Sequence, residues 1–306
     1  MKVVVTGGTG FLGGALVSSL SADGHDVVVL SRASSSSATR LPARARAVSW
    51  MPNGEAGAWA SEIDGADAVV NLAGESIAAK RWTAQQKQRI VDSRVAATRS
   101  VVAAIGSAAS PPAVLVNGSA VGYYGPRGDE VVTEDTRAGG DFLAQVCTRW
   151  EAEAARASSD RTRVICVRTG LVLEKDGGAL PQMLLPFKLG AGGPVGSGRQ
   201  YWPWIHRRDW VALVRWSMQG TGNGGAINAT APQPVTNAEF ARALGRAMHR
   251  PSFMPAPGFA LRIVLGEMAE GLLLSGQRAV PQRAERGGFT FIYPEVDGAL
   301  RAIFGS

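Results

Sequence analysis

The chain has 306 residues, 45% hydrophobic and 19% charged, a balance that excludes a disordered protein and allows a large core. The net charge is +7, but 27 of the 32 basic residues are scattered arginines, so we attribute the charge to coding bias and expect no nucleic-acid partner. With no membrane-spanning run, no recognisable signal peptide and only two cysteines, Cys147 and Cys166, we expect a cytoplasmic protein without a metal site or a membrane partner.

The first 32 residues have the pattern of a βαβ unit. An apolar strand at Val3–Val5 is followed by a glycine-rich loop, and Leu12, Leu16 and Leu20 then recur on one face of a helix. A second buried strand follows at Val27–Leu30. A glycine loop in this context predicts dinucleotide binding.

The loop itself satisfies two overlapping patterns, GxxGxxG at Gly7, Gly10 and Gly13 and GxGxxG starting one residue later. Glycine permits a tight turn, a close approach of the backbone to a pyrophosphate and tight packing of the helix on the strand. Free N–H groups at the helix start, around Phe11 and Leu12, would then face the phosphates. The alternative is a glycine-rich turn without a ligand.

The end of the second strand indicates which dinucleotide binds. An NAD site usually has an acidic residue here, whereas this chain has Ser31 and Arg32, which suit a 2′-phosphate. We therefore predict NADP, the alternative being one more surface arginine. Arg40 and Arg44 are weaker candidates for the same phosphate.

Strands and helices continue to alternate. Strands are predicted at 68–75, 113–120, 163–173 and 225–230, and a long helix at 83–105 with Ile90, Val91, Val95 and Val102 facing inward. This order predicts an α/β fold with a Rossmann-type, doubly wound parallel sheet, whose ligands lie beyond the carboxyl ends of the strands. Those ends are Gly7–Gly13, Ser31–Arg32, Asn71–Gly74, Ser119–Tyr124 and Thr169–Gly170.

The rear of the chain predicts a smaller C-terminal lobe on the substrate side. We expect residues 1–170 to form the NADP-binding domain, with 205–230 returning to it, and 171–204 and 231–306 to form the lobe. Residues 177–198 are predicted as a crossover loop over the cleft, with a mobile lid as one possibility. Residues 257–276 are predicted as a buried helix or, alternatively, an oligomer interface, so the chain is a monomer or a homodimer. Asp209 and Asn237 are expected to cap helices.

The assembled motifs resemble the extended short-chain dehydrogenase/reductase superfamily. TGGTGFLG, NLAG, SAVGYYG, VRTG and YWPWIHRRDW occur in the superfamily's order. The sequence is also similar to an atypical, sugar-nucleotide epimerase-like branch, through NLAGESIAAKRWT, RWE, LLPFKLGAGGPVGSGRQYWPWIH and a small tail domain at 275–300. The resemblance covers essentially the whole chain.

The resemblance implies a set of cofactor contacts. Gly7, Gly10 and Gly13 would hold the pyrophosphate, and Ser31 and Arg32 the adenosine phosphate. The further contacts implied are Thr9, Phe11 and Leu12 at the loop, Leu72 and Ala73 on the adenosine side, and Gly170 and Leu171 on the nicotinamide side.

The superfamily's proton relay does not carry across. That relay is a serine or threonine, a tyrosine and a lysine four residues later. Here Leu143 falls in the tyrosine position and Cys147 in the lysine position, and Ala120, with Ser119 before it, falls at the serine. Residues 138–152 contain no tyrosine and no lysine.

Other side chains are candidates for chemistry, each with a structural alternative. We predict Tyr124, together with Ser119, as catalytic, against simple packing of the tyrosine. Cys147 and His206 are expected to be structural. Substrate contacts are predicted at Glu75 and Lys80, against a solvated helix start, and at Arg199 and Trp202, against a hydrophobic seam between lobes.

Two functions follow from these features. The first is an NADP(H)-dependent oxidoreductase or epimerase acting on a small ligand without the usual relay. The alternative is a non-catalytic NADP-binding regulator, for which the resemblance implies a role related to cell division. A deep polar pocket at the nicotinamide favours the enzyme, and an exposed apolar surface on the tail favours the regulator.

Overall fold

The structure, a computed structural model, describes residues 1–32, 41–220 and 224–305. Its strands are β1 (Lys2–Thr6), β2 (Asp26–Ser31), β3 (Ala45–Ser49), β4 (Ala68–Asn71), β5 (Val114–Ala120), β6 (Val131–Val132), β7 (Arg163–Thr169), β8 (Leu171–Leu173), β9 (Tyr201–Trp202), β10 (Trp204–His206), β11 (Gly225–Ala229), β12 (Val235–Thr236) and β13 (Arg278–Ala279). Its helices are α1 (Phe11–Ala22), α2 (Ala84–Ser107), α3 (Phe142–Ala155), α4 (Leu180–Lys188), α5 (Arg207–Gln219), α6 (Asn237–Met248), α7 (Gly258–Leu265), α8 (Glu267–Ala269), α9 (Gln282–Arg286) and α10 (Val296–Phe304).

Seven strands form one central sheet in the order β11-β7-β5-β4-β1-β2-β3. Every neighbouring pair is parallel. This confirms the predicted Rossmann-type sheet. The chain order reverses at β1, which lies between β4 and β2, so a crevice for a ligand is expected beyond the carboxyl ends of these strands.

Both faces of the sheet are covered, and for this reason its strands are apolar throughout. Val3 and Val5 are fully buried in a core shared with α1 and α5, whereas Val4 is fully buried in the opposite core with α2 and α3. Successive side chains of a strand point to opposite faces, so the run of valines in β1 supplies both cores.

A third core lies in the rear of the chain. Its buried members all come from residues 173–204 and 231–303, and include Phe187 of α4, Phe240 of α6 and Leu300 of α10. The division of the chain into two lobes at the predicted boundaries stays a prediction. Within the described residues, no helix is long and apolar enough to cross a membrane.

Both helix caps predicted in this region are wrong. The observed cap lies one residue before the predicted one in α6 and three residues before it in α5. Thr236 caps α6 in a capping box with Glu239, and the Asn237 side chain instead accepts a hydrogen bond from the Val195 N–H at 2.6 Å. At α5 the cap is His206, whose Nδ1 accepts from the Arg208 N–H at 3.0 Å. The carboxylate of Asp209 points away, to the N–H groups of Ile292 and Tyr293.

Two further segments differ from prediction. Residues 177–198 are not a loop throughout, because α4 lies within them and packs into the third core. The continuous buried helix predicted at 257–276 is also wrong. It breaks at Gly266, where φ is +63°, and α7 before the break has no buried residue, whereas Met268 and Ala269 after it are buried.

Candidate cofactor cleft and active site

The glycine loop after β1 is packed against other backbone too tightly for side chains at two positions. Gly7 has a φ of +67°, and a Cβ there would lie 2.8 Å from the Leu72 carbonyl oxygen. A Cβ on Gly13 would clash with the Gly7 carbonyl oxygen, whereas a Cβ on Gly14 would meet Gly8 O at an ordinary 3.7 Å. The loop is therefore held against both the end of β4 and the first turn of α1.

The first turn of α1 presents N–H groups that have no partner within the helix. Its N-cap, Gly10, supplies no side chain, and the first intrahelical bond runs from the Gly14 N–H to the Gly10 carbonyl at 2.8 Å. The N–H groups of Phe11 and Leu12 thus have no intrahelical acceptor, and with the helix dipole they favour an anion. Thr9 is exposed beside them.

A buried line of polar side chains fixes the end of β4 under this loop. The Thr6 hydroxyl donates to Asn71 Oδ1 at 2.6 Å and accepts from the N–H groups of Leu72 and Ala73 at 3.1 and 3.2 Å. Asn71 Nδ2 in turn donates to Asn117 Oδ1 on β5 at 2.7 Å. The backbone at Leu72 and Ala73, both predicted cofactor contacts, is therefore positioned by buried hydrogen bonds.

The end of β2 lies at the same edge of the sheet. Ser31 is half-buried and Arg32, the next residue, is exposed. Arg44 is at the opposite edge, where its Nη1 donates to Asp26 and to the Gly24 carbonyl, each at 3.3 Å, so its candidacy for the 2′-phosphate is wrong. Arg40 lies outside the described residues.

The predicted nicotinamide side is formed where the chain leaves the sheet after β7. The Gly170 N–H donates to the Ala229 carbonyl at 3.0 Å, and the Leu171 N–H donates to the Pro203 carbonyl at 2.7 Å. A Cβ on Gly170 would lie 2.5 Å from that Pro203 oxygen. This wall of the cleft therefore consists of backbone groups that are held by hydrogen bonds to other backbone groups.

Tyr124 does not occupy the cleft as predicted. Its side chain is fully buried, its hydroxyl donates to Asn228 Oδ1 at 2.6 Å, and it accepts from Arg168 Nη1 at 3.0 Å. Burial raises the pKa of this phenol to about 12, although Arg168 and Asn228 act in the opposite direction. The direct substrate contact predicted for Tyr124 does not fit this environment, and the alternative of packing with a hydrogen bond does.

Ser119 belongs to the same buried network. Its hydroxyl donates to Glu151 Oε1 at 2.6 Å, and both Glu151 oxygens accept from Arg168 at 2.9 Å. Ser119 as a whole residue is 5% exposed. Its proton is therefore committed to a structural carboxylate.

The two residues at the relay positions are packing groups. Leu143 lies against Gly122 and Gly271, where Cβ atoms on these glycines would be 3.1 and 3.8 Å from it. Cys147 is 4% exposed and its Sγ donates to the Ala120 carbonyl at 3.6 Å. Burial raises the pKa of the Cys147 thiol to about 11.

The predicted substrate residues do not form one cluster of polar side chains. Lys80 and Arg199 are exposed, and Glu75 is half-buried. Trp202 belongs to the third core, where its ring lies 5.5 Å from that of Phe240 and its Nε1 donates to the Leu273 carbonyl at 3.4 Å. Trp202 thus matches the hydrophobic seam, the alternative given for it.

One side chain beside the cleft was not singled out from the sequence. Arg94 of α2 donates from Nη1 to the Glu75 carbonyl at 2.9 Å, and its guanidinium lies 5.1 Å from the Trp150 ring centroid. The chain has 27 arginines, and the pattern of α2 draws attention to its apolar face, so Arg94 does not stand out in the sequence. Its one distinguishing sign is its position one helical turn from Ile90, which faces inward. In the described chain, no group of three or more His, Cys, Asp or Glu side chains is arranged to hold a metal ion.

Comparison with known sequence families decides the classification. The NAD dependent epimerase/dehydratase family matches residues 3–229, which contain the glycine loop and the whole sheet except Lys2. The chain belongs to this family. A second family, described as a domain of unknown function (DUF1731), matches residues 256–303, the segment from α7 to α10.

Individual members of the family resemble the chain over its full length. The "Epimerase family protein SDR39U1 homolog, chloroplastic" of Arabidopsis thaliana is 44% identical over 99% of this chain and 86% of its own length. Human "Epimerase family protein SDR39U1" is 40% identical over 99% of both chains. The crystal structure of human SDR39U1 (isoform 2) with NADPH superposes with a TM-score of 0.90 at 37% identity, covering 100% of both chains.

A second solved structure extends the comparison to a larger protein. The nucleoside-diphosphate sugar epimerase from Corynebacterium glutamicum is 32% identical, with a TM-score of 0.78, over 100% of this chain and 58% of that chain. Both solved relatives thus share the family fold described above.

Proposed function

We propose that this family member binds NADP(H) in the cleft beyond β1 and β4 and uses it as an oxidoreductase or epimerase acting on a small ligand. The observation that carries the proposal is the glycine loop, where side chains are excluded at Gly7 and Gly13 and the unpaired N–H groups of α1 open beyond the strand end. A pyrophosphate fits such a site. The crystal structure of the human relative, with NADPH, supports the choice of cofactor.

The cofactor would lie along the carboxyl edge of the sheet. Arg32 would bind the 2′-phosphate, Leu72 and Ala73 would line the adenosine side, and Gly170 and Leu171 the nicotinamide side. NADP(H) would supply the hydride. The chain's own contribution is a rigid cleft in which backbone groups are fixed by hydrogen bonds such as those of Thr6.

The proton that accompanies the hydride would come from water. Tyr124 is buried away from the cleft, the Ser119 proton is donated to Glu151, and the Cys147 thiol has a raised pKa. None of the three is placed to act as the relay tyrosine does. A water molecule in the cleft would supply this proton without any rearrangement of the buried network.

The experiment that tests the enzyme is a screen for NADPH oxidation at 340 nm against quinones, aldehydes and nucleotide sugars. We expect turnover of one class, dependent on NADPH. A matched control is the Gly13→Ala variant, in which the clash with Gly7 should remove turnover together with cofactor binding. Tight NADPH binding without turnover of any class would contradict the enzymatic proposal.

A non-catalytic NADP-binding regulator is the second candidate, and an exposed apolar surface favours it. In α7 the side chains of Phe259, Ile263 and Val264 are 67%, 71% and 64% exposed, and Phe253 nearby in sequence is 74% exposed. A group of exposed apolar side chains favours contact with another molecule. This candidate predicts NADPH binding without turnover. It also predicts that Ile263→Glu abolishes the contact with the other molecule without any change in the affinity for NADPH.

A further inference from the structure

Arg94 is a half-buried cation that has no ion-pair partner in the described part of the chain. Its Nη1 donates to the carbonyls of Glu75 and Ile90 at 2.9 and 3.1 Å, which are neutral acceptors. Among the residues that the structure describes, no carboxylate lies within ion-pair distance of it, in contrast to Arg99, five residues along the same helix, which pairs with Glu153. Burial lowers the pKa of Arg94, although Cys147 and Glu75 act in the opposite direction. The described residues therefore give this half-buried charge no carboxylate at ion-pair distance, and Glu75 attracts it only from farther away.

The guanidinium also has unused donors. Only Nη1 has an acceptor in the described chain, which leaves Nε and Nη2. The buried side-chain nitrogens that lack any partner there are Gln86 Nε2, Arg215 Nε and Arg278 Nε, and those of Arg94 are not among them. Nε and Nη2 of Arg94 are therefore still accessible, and these two donors lie on one edge of the planar group, the fork that matches two oxygens of one anion.

Arg94 lies at the carboxyl edge of the sheet. A Cβ on Gly74, at the carboxyl end of β4, would lie 3.2 Å from its Cζ. Trp150, on whose ring the guanidinium rests, packs on Gly118 of β5. Arg94 thus lies between the ends of β4 and β5, at the same edge of the sheet as the glycine loop.

We propose that Arg94 binds a carboxylate of the second ligand in the cleft, at the edge of the sheet where β4 and β5 end. This proposal rests on the proposed function, which assigns the cofactor's own anionic groups elsewhere: the pyrophosphate to the start of α1 and the 2′-phosphate to Arg32. The charge of Arg94 is then left for the other ligand. The substrate class that fits is a small carboxylic acid.

The test is a titration of the NADPH-bound protein with acetate, using acetamide as the neutral probe of the same shape and sodium chloride at equal ionic strength as the salt control. Binding is followed by NADPH fluorescence and by the melting temperature. We expect saturable binding of acetate, at least tenfold tighter than acetamide. Arg94→Gln should lose at least tenfold of the acetate affinity and keep its affinity for NADPH, and Arg94→Lys should retain part of the acetate affinity.

Several outcomes would overturn the proposal. These are equal affinity of the wild type for acetate and acetamide, no acetate binding up to high concentration, preference for inorganic phosphate over acetate, or unchanged acetate binding in Arg94→Gln. A loss of NADPH affinity in that variant equal to its loss of acetate affinity would instead assign Arg94 to the cofactor. If Arg94→Gln does not fold, Arg94→Lys takes its place. This variant keeps the charge but not the fork, so it must bind acetate more weakly than the wild type for the proposal to stand.

The same experiment separates this proposal from the proposed function. If the wild type does not bind NADPH, the proposed function fails. Acetate is then titrated against the unliganded protein by melting temperature, where an effect that Arg94→Gln removes supports the anion site by itself, and the absence of an effect overturns it.

Discussion

At the scale of single residues, a buried ion pair organises the side chains between β5, β7 and β11. Arg168 donates from Nε and Nη2 to the two oxygens of Glu151, and its third nitrogen, Nη1, donates to the Tyr124 hydroxyl. The guanidinium carbon also lies 3.4 Å from the Tyr123 ring centroid. Each polar atom here has its partner, so the network stabilises one arrangement of the strand ends and leaves no proton free for chemistry.

Tyr124→Phe should therefore lower stability rather than act on a chemical step. The change leaves Asn228 Oδ1 and Arg168 Nη1 each without one buried partner, which costs about 1–3 kcal/mol. Urea denaturation measures it. Tyr123→Phe is the matched control, with an expected change below about 0.5 kcal/mol. A fully stable Tyr124→Phe protein that has lost turnover would contradict this account and restore the catalytic role.

Cys147 should be unreactive in the folded protein. Burial raises the pKa of its thiol to about 11 and that of the Cys166 thiol to about 12, so hardly any thiolate exists at pH 7.5. We expect no adduct with iodoacetamide by mass spectrometry until urea is added, and then two adducts. Cys147→Ala should keep NADPH binding and most of any turnover. Rapid alkylation of the native protein with loss of activity would show that the thiol is catalytic.

Arg32→Ala should narrow the preference for NADPH over NADH. A charge-assisted contact to the 2′-phosphate contributes roughly 1.5–3 kcal/mol, so the preference should fall by about tenfold or more. Arg44→Ala is the control, because Arg44 lies at the opposite edge of the sheet and pairs with Asp26. Fluorescence titration of both variants with both cofactors measures the effect. An equal preference in Arg32→Ala and in the wild type would remove the argument for a phosphate contact.

At the scale of elements, periodicity located the main strands and helices, but the local contacts that end them depend on partners far along the chain. Thr236 and Asn237 are both good capping residues, and the sequence does not say which side chain turns to the helix. Asn237 is drawn to the Val195 backbone, 42 residues away, which leaves the cap to Thr236. In α2, likewise, Ile90 is fully buried as predicted, whereas Val91, Val95 and Val102 are only partly buried.

The start of α5 should make stability depend on pH through His206. Burial lowers the pKa of His206 to about 4, helped by Arg208 and Arg207 and opposed by Glu174, and its Nδ1 must stay unprotonated to accept the Arg208 N–H. The unfolded chain takes up this proton near pH 6.5, whereas the folded protein does so only near pH 4. Stability from this group is therefore complete above about pH 6.5 and is lost as the pH falls towards 4.

The control for this effect is His206→Asn, which keeps a capping acceptor and does not titrate. The free energy of unfolding of the wild type, relative to the variant, should fall by on the order of 1–2 kcal/mol between pH 7 and pH 4.5. Denaturant titrations at both pH values measure it. Parallel pH profiles for the two proteins would contradict the assignment.

At the scale of the whole molecule, contacts between residues far apart in sequence join the two segments that match different families. Asp209 of α5 accepts from Ile292 and Tyr293, and the Tyr293 ring stacks on His206 at 4.1 Å. The sheet could be predicted because each βα unit carries its own hydrophobic period. The path of the tail could not, because its anchor is a buried carboxylate 83 residues away, and by sequence that aspartate resembled a helix cap.

The same distinction applies to the candidate site. The glycine loop is local, so its residues could be listed from the sequence. The environment of Tyr124 is not local, since Asn228 lies 104 residues away on the strand that completes the sheet. Arg94 could not be singled out from the sequence, because whether a charged side chain has a partner depends on the residues that surround it in the fold.

The central claim is that NADP(H) binds at the glycine loop, and a fluorescence titration of three proteins with NADPH tests it most directly. Wild type and Gly14→Ala should bind NADPH with affinities within about threefold, because the added methyl of Gly14→Ala meets only an ordinary contact. Gly13→Ala should bind at least tenfold more weakly, because its methyl clashes with Gly7 and displaces the loop. Equal affinities of the two variants, or no binding to the wild type, would contradict the account.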